Sequence, residues 1–248
     1  MEHLINIFND FFCRVQFQSP RNWNEEHVIA KLSRYATMIH EENQKYNLTG
    51  FKSLDEIAEN LVFESIVPLM NIDVPRGTSF VDIGCGAGVP GIPLGIMYPE
   101  MRGVLIDSNK KKAVFVSNVI KELQIDNLSV SNDRAEEIAN LPEFRQKANL
   151  VLCRAFAEPY VSLEAGLPML CVGGVMYIFS KFTADELEDG IIKHALKLGS
   201  EPVQKANMHK YGFPEVGLLF VKVENTPSEY PRRFSVIKKC AEPFRRQV

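Results

Sequence analysis

The sequence predicts an α/β fold: a seven-stranded, mostly parallel sheet that ends in an antiparallel C-terminal hairpin and follows a helical N-terminal extension. From residue 78 onward, short β-rich runs alternate with helical segments, which is typical of right-handed βαβ units. The first seventy or so residues carry helical periodicity instead. Near the C-terminus a strongly apolar run follows a weaker one, which favours a hairpin at the edge of the sheet.

The N-terminal extension contains two helical segments. The first begins after Asn24, a suitable N-cap, and its apolar residues recur at helical spacing: Val28, Leu32, Tyr35, Ala36 and Ile39. Ser53 and Glu56 have the spacing of a capping box and open the second segment, over 57–70. Because no repeat or long linker divides the chain, we expect residues 1–74 to pack on a main domain, residues 75–248, as one structural unit.

The strands follow in order from residue 79. They are predicted at 79–83, 103–107, 128–131, 150–153, 175–179, a weaker 203–208, and 216–223. The last two form the predicted hairpin.

Composition narrows the class of protein. The chain has 248 residues, a net charge of −3 and 46% hydrophobic residues, so it can bury a substantial core but is not basic throughout. No apolar run approaches the roughly 20 residues of a membrane span, and the start lacks a secretory signal. Five scattered cysteines and five scattered histidines indicate neither disulfides nor a metal site. We expect a cytoplasmic, monomeric protein that binds no metal.

The most informative segment is FVDIGCGAGVPGIP, residues 80–93. A predicted strand runs into Gly84, Gly86 and Gly88, which let the backbone turn sharply and approach a ligand closely. Pro90 suits the first turn of a following helix. The segment therefore predicts a strand, a ligand-binding loop and a helix.

Two cofactors compete for this loop. Gly86, Gly88 and Gly91 match the dinucleotide pattern GxGxxG. A dinucleotide site, however, leaves a helix N-terminus open for pyrophosphate, whereas Pro90 and Pro93 remove two amide donors here. S-adenosylmethionine has no phosphate, and its cationic amino and sulfonium groups suit a strand-end carboxylate such as Asp82. We therefore favour S-adenosylmethionine.

Asp107 supports a nucleoside ligand. It ends the second predicted strand, 23 residues after Gly84, where a carboxylate can accept hydrogen bonds from both ribose hydroxyls. NAD sites use the same device, so Asp107 does not separate the two cofactors. Its structural alternative is an N-cap for the helix predicted at 110–123.

Several motifs together resemble one family. DIGCGAGVPGIPL at 82–94, LIDSNKKKAVFV at 105–116, DRAEE at 133–137, CRAFA at 153–157 and EYPR at 229–232 resemble the glucose-inhibited division protein B family, also called ribosomal RNA small subunit methyltransferase G. The resemblance runs from about residue 47 to the C-terminus. It implies a Rossmann-like, S-adenosylmethionine-dependent fold and methylation of N7 of one guanine in 16S rRNA, as naked RNA or in the 30S subunit.

The resemblance also implies site residues. Gly84 and Val89 match loop positions that contact the cofactor, Ala135 and Glu136 match those beside the adenine, and Arg154 matches the arginine after the fourth strand. Two segments depart from the family pattern. Residues 60–65, NLVFES, lack the usual Arg-His pair and place Glu64 where aspartate is usual, and Phe182 replaces a glycine after Lys181.

The implied chemistry needs no general base. Guanine N7 carries an available lone pair, so in-line positioning is sufficient in principle. Accordingly we assign no catalytic base, and two roles are open for Arg154: holding the methionine carboxylate or hydrogen-bonding guanine O6. A surface arginine is its structural alternative. Cys153 lacks the adjacent proline of C5-pyrimidine enzymes and is interpreted as a buried structural thiol.

The C-terminal 22 residues contain six cationic and two acidic side chains, a surplus of four positive charges. With aromatic residues interleaved, this tail is a candidate RNA contact, although a solvated tail is the alternative. The candidate RNA-binding residues of the tail are Arg232, Arg233, Lys238 and Lys239. Lys181, after the fifth predicted strand, is a further candidate for RNA phosphate, with a solvated loop lysine as its alternative. Two rival functions stay open: methylation of a small molecule, and an RNA-binding assembly factor that keeps S-adenosylmethionine as a structural ligand.

Overall fold

The computed structural model describes residues 2–14, 24–70, 77–211 and 216–247. Seven strands form one sheet in the order β3-β2-β1-β4-β5-β7-β6. The strands are β1 (Ser79–Ile83), β2 (Arg102–Ile106), β3 (Leu128–Ser131), β4 (Ala148–Arg154), β5 (Leu170–Phe179), β6 (Ser200–Pro202) and β7 (Leu218–Lys222). Strands β1 to β5 pair in parallel, whereas β7 is antiparallel to both β5 and β6. The predicted fold class is confirmed.

The strand order determines where a ligand binds. The chain runs outward from β1 to β3, then returns to the centre and continues with β4 and β5 on the other side of β1. The order therefore reverses between β1 and β4. In open parallel sheets the loops diverge at such a point and leave a crevice at the carboxyl ends of the strands.

Ten α-helices occur in the described residues, with shorter 3₁₀ and π segments between them. They are α1 (Glu2–Arg14), α2 (Glu25–Asn43), α3 (Leu54–Glu56), α4 (Glu64–Ile66), α5 (Gly91–Met97), α6 (Lys110–Glu122), α7 (Ala135–Ile138), α8 (Pro159–Gly166), α9 (Asp189–Lys197) and α10 (Phe234–Ala241). A π-helical segment, Ile57–Phe63, joins α3 to α4, and Val67–Leu69 is a 3₁₀ turn. In the described part of the chain, every helix is too short or too polar to span a bilayer.

The predicted helix starts are found. The side chain of Asn24 accepts a hydrogen bond from the amide of His27 and caps α2. Ser53 and Glu56 form the reciprocal capping box that opens α3. The predicted boundary between residues 74 and 75 lies outside the described residues.

One strand prediction is wrong. The weak strand predicted at 203–208 is found at Ser200–Pro202, and Lys205–Tyr211 is a 3₁₀ helix. Gly199, with φ of +75°, turns the chain from α9 directly into β6. The pairing of β6 with β7 therefore begins early and ends before residue 205. Asp185 then accepts a hydrogen bond from the Lys205 amide. The remaining strands differ from the predictions only in their ends.

Two apolar layers cover the sheet. One contains buried side chains of α1, α2 and the π-helical segment, among them Phe8, Leu32 and Ile57, together with Phe80 and Leu105 of the sheet. The opposite layer packs α8 and α9 against the other sheet face, and a small third cluster joins α8 to α10. The described N-terminal helices thus bury their apolar stripes on the sheet, as amphipathic helices require.

Candidate cofactor site

The glycine loop lies at the carboxyl end of β1, at the switch point of the sheet. The amides of Gly84 and Cys85 both donate to the carbonyl of Ile106 in β2, at 2.8 and 3.0 Å. Gly84 has φ of +68°, and a Cβ there would lie 2.4 Å from Cδ2 of Phe156. Gly86 has φ of +58°, but the atom nearest to its added Cβ is 3.9 Å away. The loop is therefore tightly packed at Gly84 and open at Gly86, where a ligand can approach the backbone.

Asp107 lies one residue beyond β2 and faces this loop. Its Oδ2 accepts a hydrogen bond from the Gly86 amide at 2.8 Å, and its Oδ1 accepts one from the Asn109 amide at 2.8 Å. The side chain that caps α6 is Asn109, which accepts from the Lys111 amide. The N-cap alternative for Asp107 is thus wrong, and its carboxylate instead joins the end of β2 to the glycine loop.

Asp82 is completely buried beneath the loop. Its Oδ2 accepts a hydrogen bond from the Gly91 amide at 2.9 Å, while its Oδ1 has no hydrogen-bond partner. Burial raises the pKa of Asp82 to about 7, against the opposing effect of the Gly91 amide. Pro90 is the N-cap residue of α5, one position before its predicted place in the first turn, and α5 begins at Gly91.

Arg154 ends β4 and turns towards the N-terminal helices. Its guanidinium donates to the main-chain carbonyls of Asn60 and Leu61 and forms an ion pair with Glu64 at 3.3 Å. Its side chain is only 15% exposed, so the surface alternative is wrong. Burial lowers the pKa of Arg154, with Glu64 opposing the shift. The atypical segment 60–65 thus supplies the partners of Arg154, and two of these partners are main-chain atoms that do not depend on side-chain identity.

Ala135 and Glu136 open the short helix α7 after β3, and both are buried. Asn132, in the same loop, donates to the carbonyl of Asp107 at 2.8 Å and so connects this loop to the end of β2. Glu136 lies 3.8 Å from the guanidinium of Arg134, and burial raises its pKa. Gly88 and Val89 complete the glycine loop, and their amides donate to the carbonyl of Cys85 at 2.7 and 3.1 Å. The predicted cofactor residues therefore share one edge of the sheet.

Arg232, one of the candidate RNA contacts, binds a carboxylate within the protein. Its guanidinium and main-chain amide donate to the carboxylate of Glu164, a fully buried residue of α8, with distances of 2.5 to 2.9 Å. His194 of α9 lies 3.1 Å from the same carboxylate, and its ring stacks on Tyr160 with a centroid distance of 3.8 Å. Arg232 therefore anchors the C-terminal segment inside the protein.

The neighbouring basic residues face outwards. A groove of about 640 Å³ separates α7 from α10, and Arg134, Glu136, Arg233, Phe234 and Lys238 are among the residues that line it. Two cations lie over the Phe234 ring, with Arg134 at 5.6 Å and Lys238 at 5.3 Å from its centroid. Because Glu136 belongs to both the groove and the predicted adenine side, the basic helix lies beside the cofactor residues.

Lys181 and Lys239 are exposed. Lys181 follows β5, whose Phe179 pairs with Arg154, so it lies near the carboxyl edge of the sheet. The side chains of Arg245 and Arg246 lie outside the described residues.

A larger cavity, about 830 Å³, lies at the opposite edge of the sheet. Its lining includes the starts of four strands, at Ser79, Arg102, Leu128 and Ala148. None of the predicted site residues lines it. The larger cavity therefore lies at the end of the sheet away from the predicted cofactor residues.

Two buried residues near these sites make polar contacts that were not predicted from the sequence. The hydroxyl of Tyr35 in α2 donates to the carbonyl of Ala87 in the glycine loop at 2.8 Å. In the sequence, Tyr35 was one apolar position among several. Glu164 had a clearer signal, because it is a single carboxylate within the apolar run VSLEAGLPML, and a buried charge of this kind requires a partner.

The Cys153 thiol is fully buried, and burial raises its pKa to about 12. The thiolate that a nucleophile requires is therefore scarce at neutral pH. This agrees with the interpretation of Cys153 as a structural residue.

A mostly parallel sheet with this order, and a glycine loop joined to a carboxylate at the end of the second strand, define the class of Rossmann-like S-adenosylmethionine-dependent methyltransferases. Within this class the chain belongs to the family of rRNA small subunit methyltransferase G, GidB, whose sequence model matches residues 28–210.

Relatives named ribosomal RNA small subunit methyltransferase G include the following three. The protein from Carboxydothermus hydrogenoformans is 36% identical over 220 residues, 87% of this chain and 92% of the relative. That from Pelotomaculum thermopropionicum is 34% identical, over 86% and 90% of the two chains. That from Dictyoglomus thermophilum is 32% identical, over 84% and 87%.

Proposed function

We propose that this protein transfers the methyl group of S-adenosylmethionine to N7 of a guanine in 16S rRNA. The observation that carries the proposal is the link between Asp107 and Gly86 at the switch point of the sheet, in a chain of this family. The names of the relatives support small-subunit rRNA as the substrate. Guanine N7 follows from the family resemblance.

The residues at the loop fit this cofactor. Asp82 offers a buried carboxylate oxygen without a partner, which suits a cationic amino group. Asp107 would bind the ribose, and the open side of Gly86 leaves room for the ligand to contact the backbone. Ala135 and Glu136 would flank the adenine. When bound, S-adenosylmethionine supplies an electrophilic methyl group.

The role of the protein is then to position the guanine. N7 presents its lone pair without loss of a proton, so no general base is assigned, and alignment lowers the barrier. At least two main-chain carbonyls and one carboxylate already occupy the guanidinium of Arg154. We propose that Arg154 orients the site by holding the π-helical segment and Glu64 against β4, rather than by binding a ligand carboxylate.

The RNA would follow the groove between α7 and α10. Arg233 and Lys238 provide charge for phosphates, and Phe234 provides an aromatic face for an unstacked base. Lys239 and Lys181 would extend this basic surface. Arg232 also lines this groove, but Glu164 already binds its guanidinium, so we assign the phosphate contacts to Arg233 and Lys238.

The experiment is incorporation of labelled methyl groups into 16S rRNA and 30S subunits from a strain that lacks this gene, with the modified nucleotide mapped. We expect one 7-methylguanosine. Asp107→Ala should abolish incorporation, whereas Asp126→Ala, in an exposed turn of the amino edge, should not. Binding of S-adenosylhomocysteine without any methyl transfer to either RNA form would overturn the proposal and favour an assembly factor.

A second comparison separates RNA from small substrates. The double variant Arg233→Glu, Lys238→Glu should retain cofactor binding and lose rRNA methylation, because it reverses charge in the groove. Unchanged rRNA methylation would show that the groove does not carry the RNA.

We also propose an oligomeric state, a location and a domain organisation for this protein. The protein would act as a monomer in the cytoplasm and use no metal ion. The helical region up to residue 74 would form one structural unit with the methyltransferase domain, which the shared apolar layer supports.

A further inference from the structure

Tyr35 connects the N-terminal helices to the glycine loop. It lies on the buried face of α2 and is completely inaccessible to solvent. Its hydroxyl donates to the carbonyl of Ala87 at 2.8 Å, across 52 positions of sequence. The same hydroxyl would lie 3.3 Å from a Cβ added at Gly88. Helix α2 thus contacts the loop directly at the two residues that follow Gly86.

The contact is one of three hydrogen bonds that side chains make to the backbone between Gly86 and Gly91. Asp107 accepts from the Gly86 amide, and Asp82 accepts from the Gly91 amide. These two carboxylates hold amides of the loop from strands β2 and β1. Tyr35 holds a carbonyl between them, and it does so from the N-terminal extension.

The environment of Tyr35 makes this hydrogen bond hard to replace. The site is closed to solvent, so water does not take over the bond when the donor is removed. Burial also raises the pKa of the phenol well above its ordinary value, which keeps the hydroxyl protonated as a donor. A loop with several residues at positive φ has few alternative conformations that preserve its other bonds.

We propose that Tyr35 is a positioning residue for the cofactor: its hydroxyl fixes the conformation of the loop at Ala87 and Gly88 and thereby sets the affinity for S-adenosylmethionine. This inference rests on the proposed function, in which the loop binds that cofactor. It assigns the N-terminal extension a part in cofactor binding, although the extension supplies no residue to the glycine motif.

The test compares Tyr35→Phe with Tyr98→Phe. Tyr98 is a matched control, because it is also buried and its hydroxyl donates to main-chain carbonyls, those of Leu69 and Met70, at 3.2 Å. Phenylalanine fills the same space at both positions, and melting temperatures will show that both variants are folded. Binding of S-adenosylhomocysteine is measured by calorimetry, and hydrogen exchange of the loop amides is measured without ligand.

We expect Tyr35→Phe to weaken S-adenosylhomocysteine binding by roughly three- to tenfold, the effect of one neutral hydrogen bond. Loop exchange should accelerate, and Tyr98→Phe should change neither quantity. In turnover the loss should appear in KM for the methyl donor and not in kcat. An affinity within twofold of wild type, or an equal loss in Tyr98→Phe, overturns the inference. If the wild type itself does not bind S-adenosylhomocysteine, the proposed function fails instead.

Discussion

Truncation of two adjacent arginines should affect two different properties: Arg232→Ala should lower the stability of the fold, whereas Arg233→Ala should lower the affinity for RNA. Arg232→Ala removes two side-chain hydrogen bonds, at 2.8 and 2.5 Å, from the buried carboxylate of Glu164. The main-chain amide and His194 remain. Breaking a fully buried ion pair costs about 3–5 kcal/mol. Because the Arg232 side chain is 28% exposed and water can enter, we expect a smaller loss of about 2–3 kcal/mol.

For a chain of this length the loss corresponds to a drop in melting temperature of about 5–10 °C. Arg233 is exposed, and Arg233→Ala should stay within about 0.5 kcal/mol of wild type. Differential scanning calorimetry of both variants measures the two effects. In a filter-binding assay with 16S rRNA, Arg233→Ala should lose affinity at low salt.

The pH dependence follows from the same contacts. Burial alone would raise the pKa of Glu164, but the hydrogen bonds from Arg232 and His194 outweigh it and lower the pKa to about 2. A depressed carboxylate pKa stabilises the fold above the unfolded value, and this contribution disappears as pH falls from about 4.5 to about 2. Arg232→Ala should therefore begin to unfold at a higher pH. Equal melting temperatures for the two arginine variants would refute this account of the C-terminal segment.

Three further predictions concern buried positions. Gly84→Ala should abolish S-adenosylhomocysteine binding, because the added Cβ would lie 2.4 Å from Phe156; retained binding in calorimetry would contradict the close packing. Lys222→Met should have a higher melting temperature than wild type at about pH 6 and lose this advantage towards about pH 10. The reason is that burial lowers the pKa of Lys222 to about 7, so the wild type gains stability as the pH rises from about 7 to 10.5. A difference in melting temperature that does not depend on pH would exclude the titration of the lysine as its cause. S-adenosylhomocysteine should bind more weakly at about pH 6 than at about pH 8, because burial raises the pKa of Asp82 to about 7 and protonation removes the charge that would face the ligand. Asp82→Asn should make the affinity independent of pH over this range. If the variant keeps the pH dependence of the wild type, the carboxylate has no role in binding.

Local chemistry in the sequence determined most of the fold. Asn24 and the pair Ser53 and Glu56 act through backbone groups within four residues, so their caps are visible in the sequence. The glycine loop depends on residues that tolerate positive φ, and the alternation of apolar runs determines the parallel sheet. The position of the weak strand was predicted wrongly because β6 has only three residues, too few to show an alternating apolar pattern in the sequence.

Long-range partners were decided only by the tertiary structure. The basic tail looked uniform in sequence, but in the structure the buried carboxylate of Glu164 in α8 binds the guanidinium of Arg232, whereas Arg233 and Lys238 are exposed. Tyr35 had the periodicity of any apolar helix position, and only the packing of α2 on the loop gives its hydroxyl a partner 52 residues away. Sequence periodicity records which face of an element is buried. It does not record which polar atom on another element that face will meet, because this depends on how the elements pack.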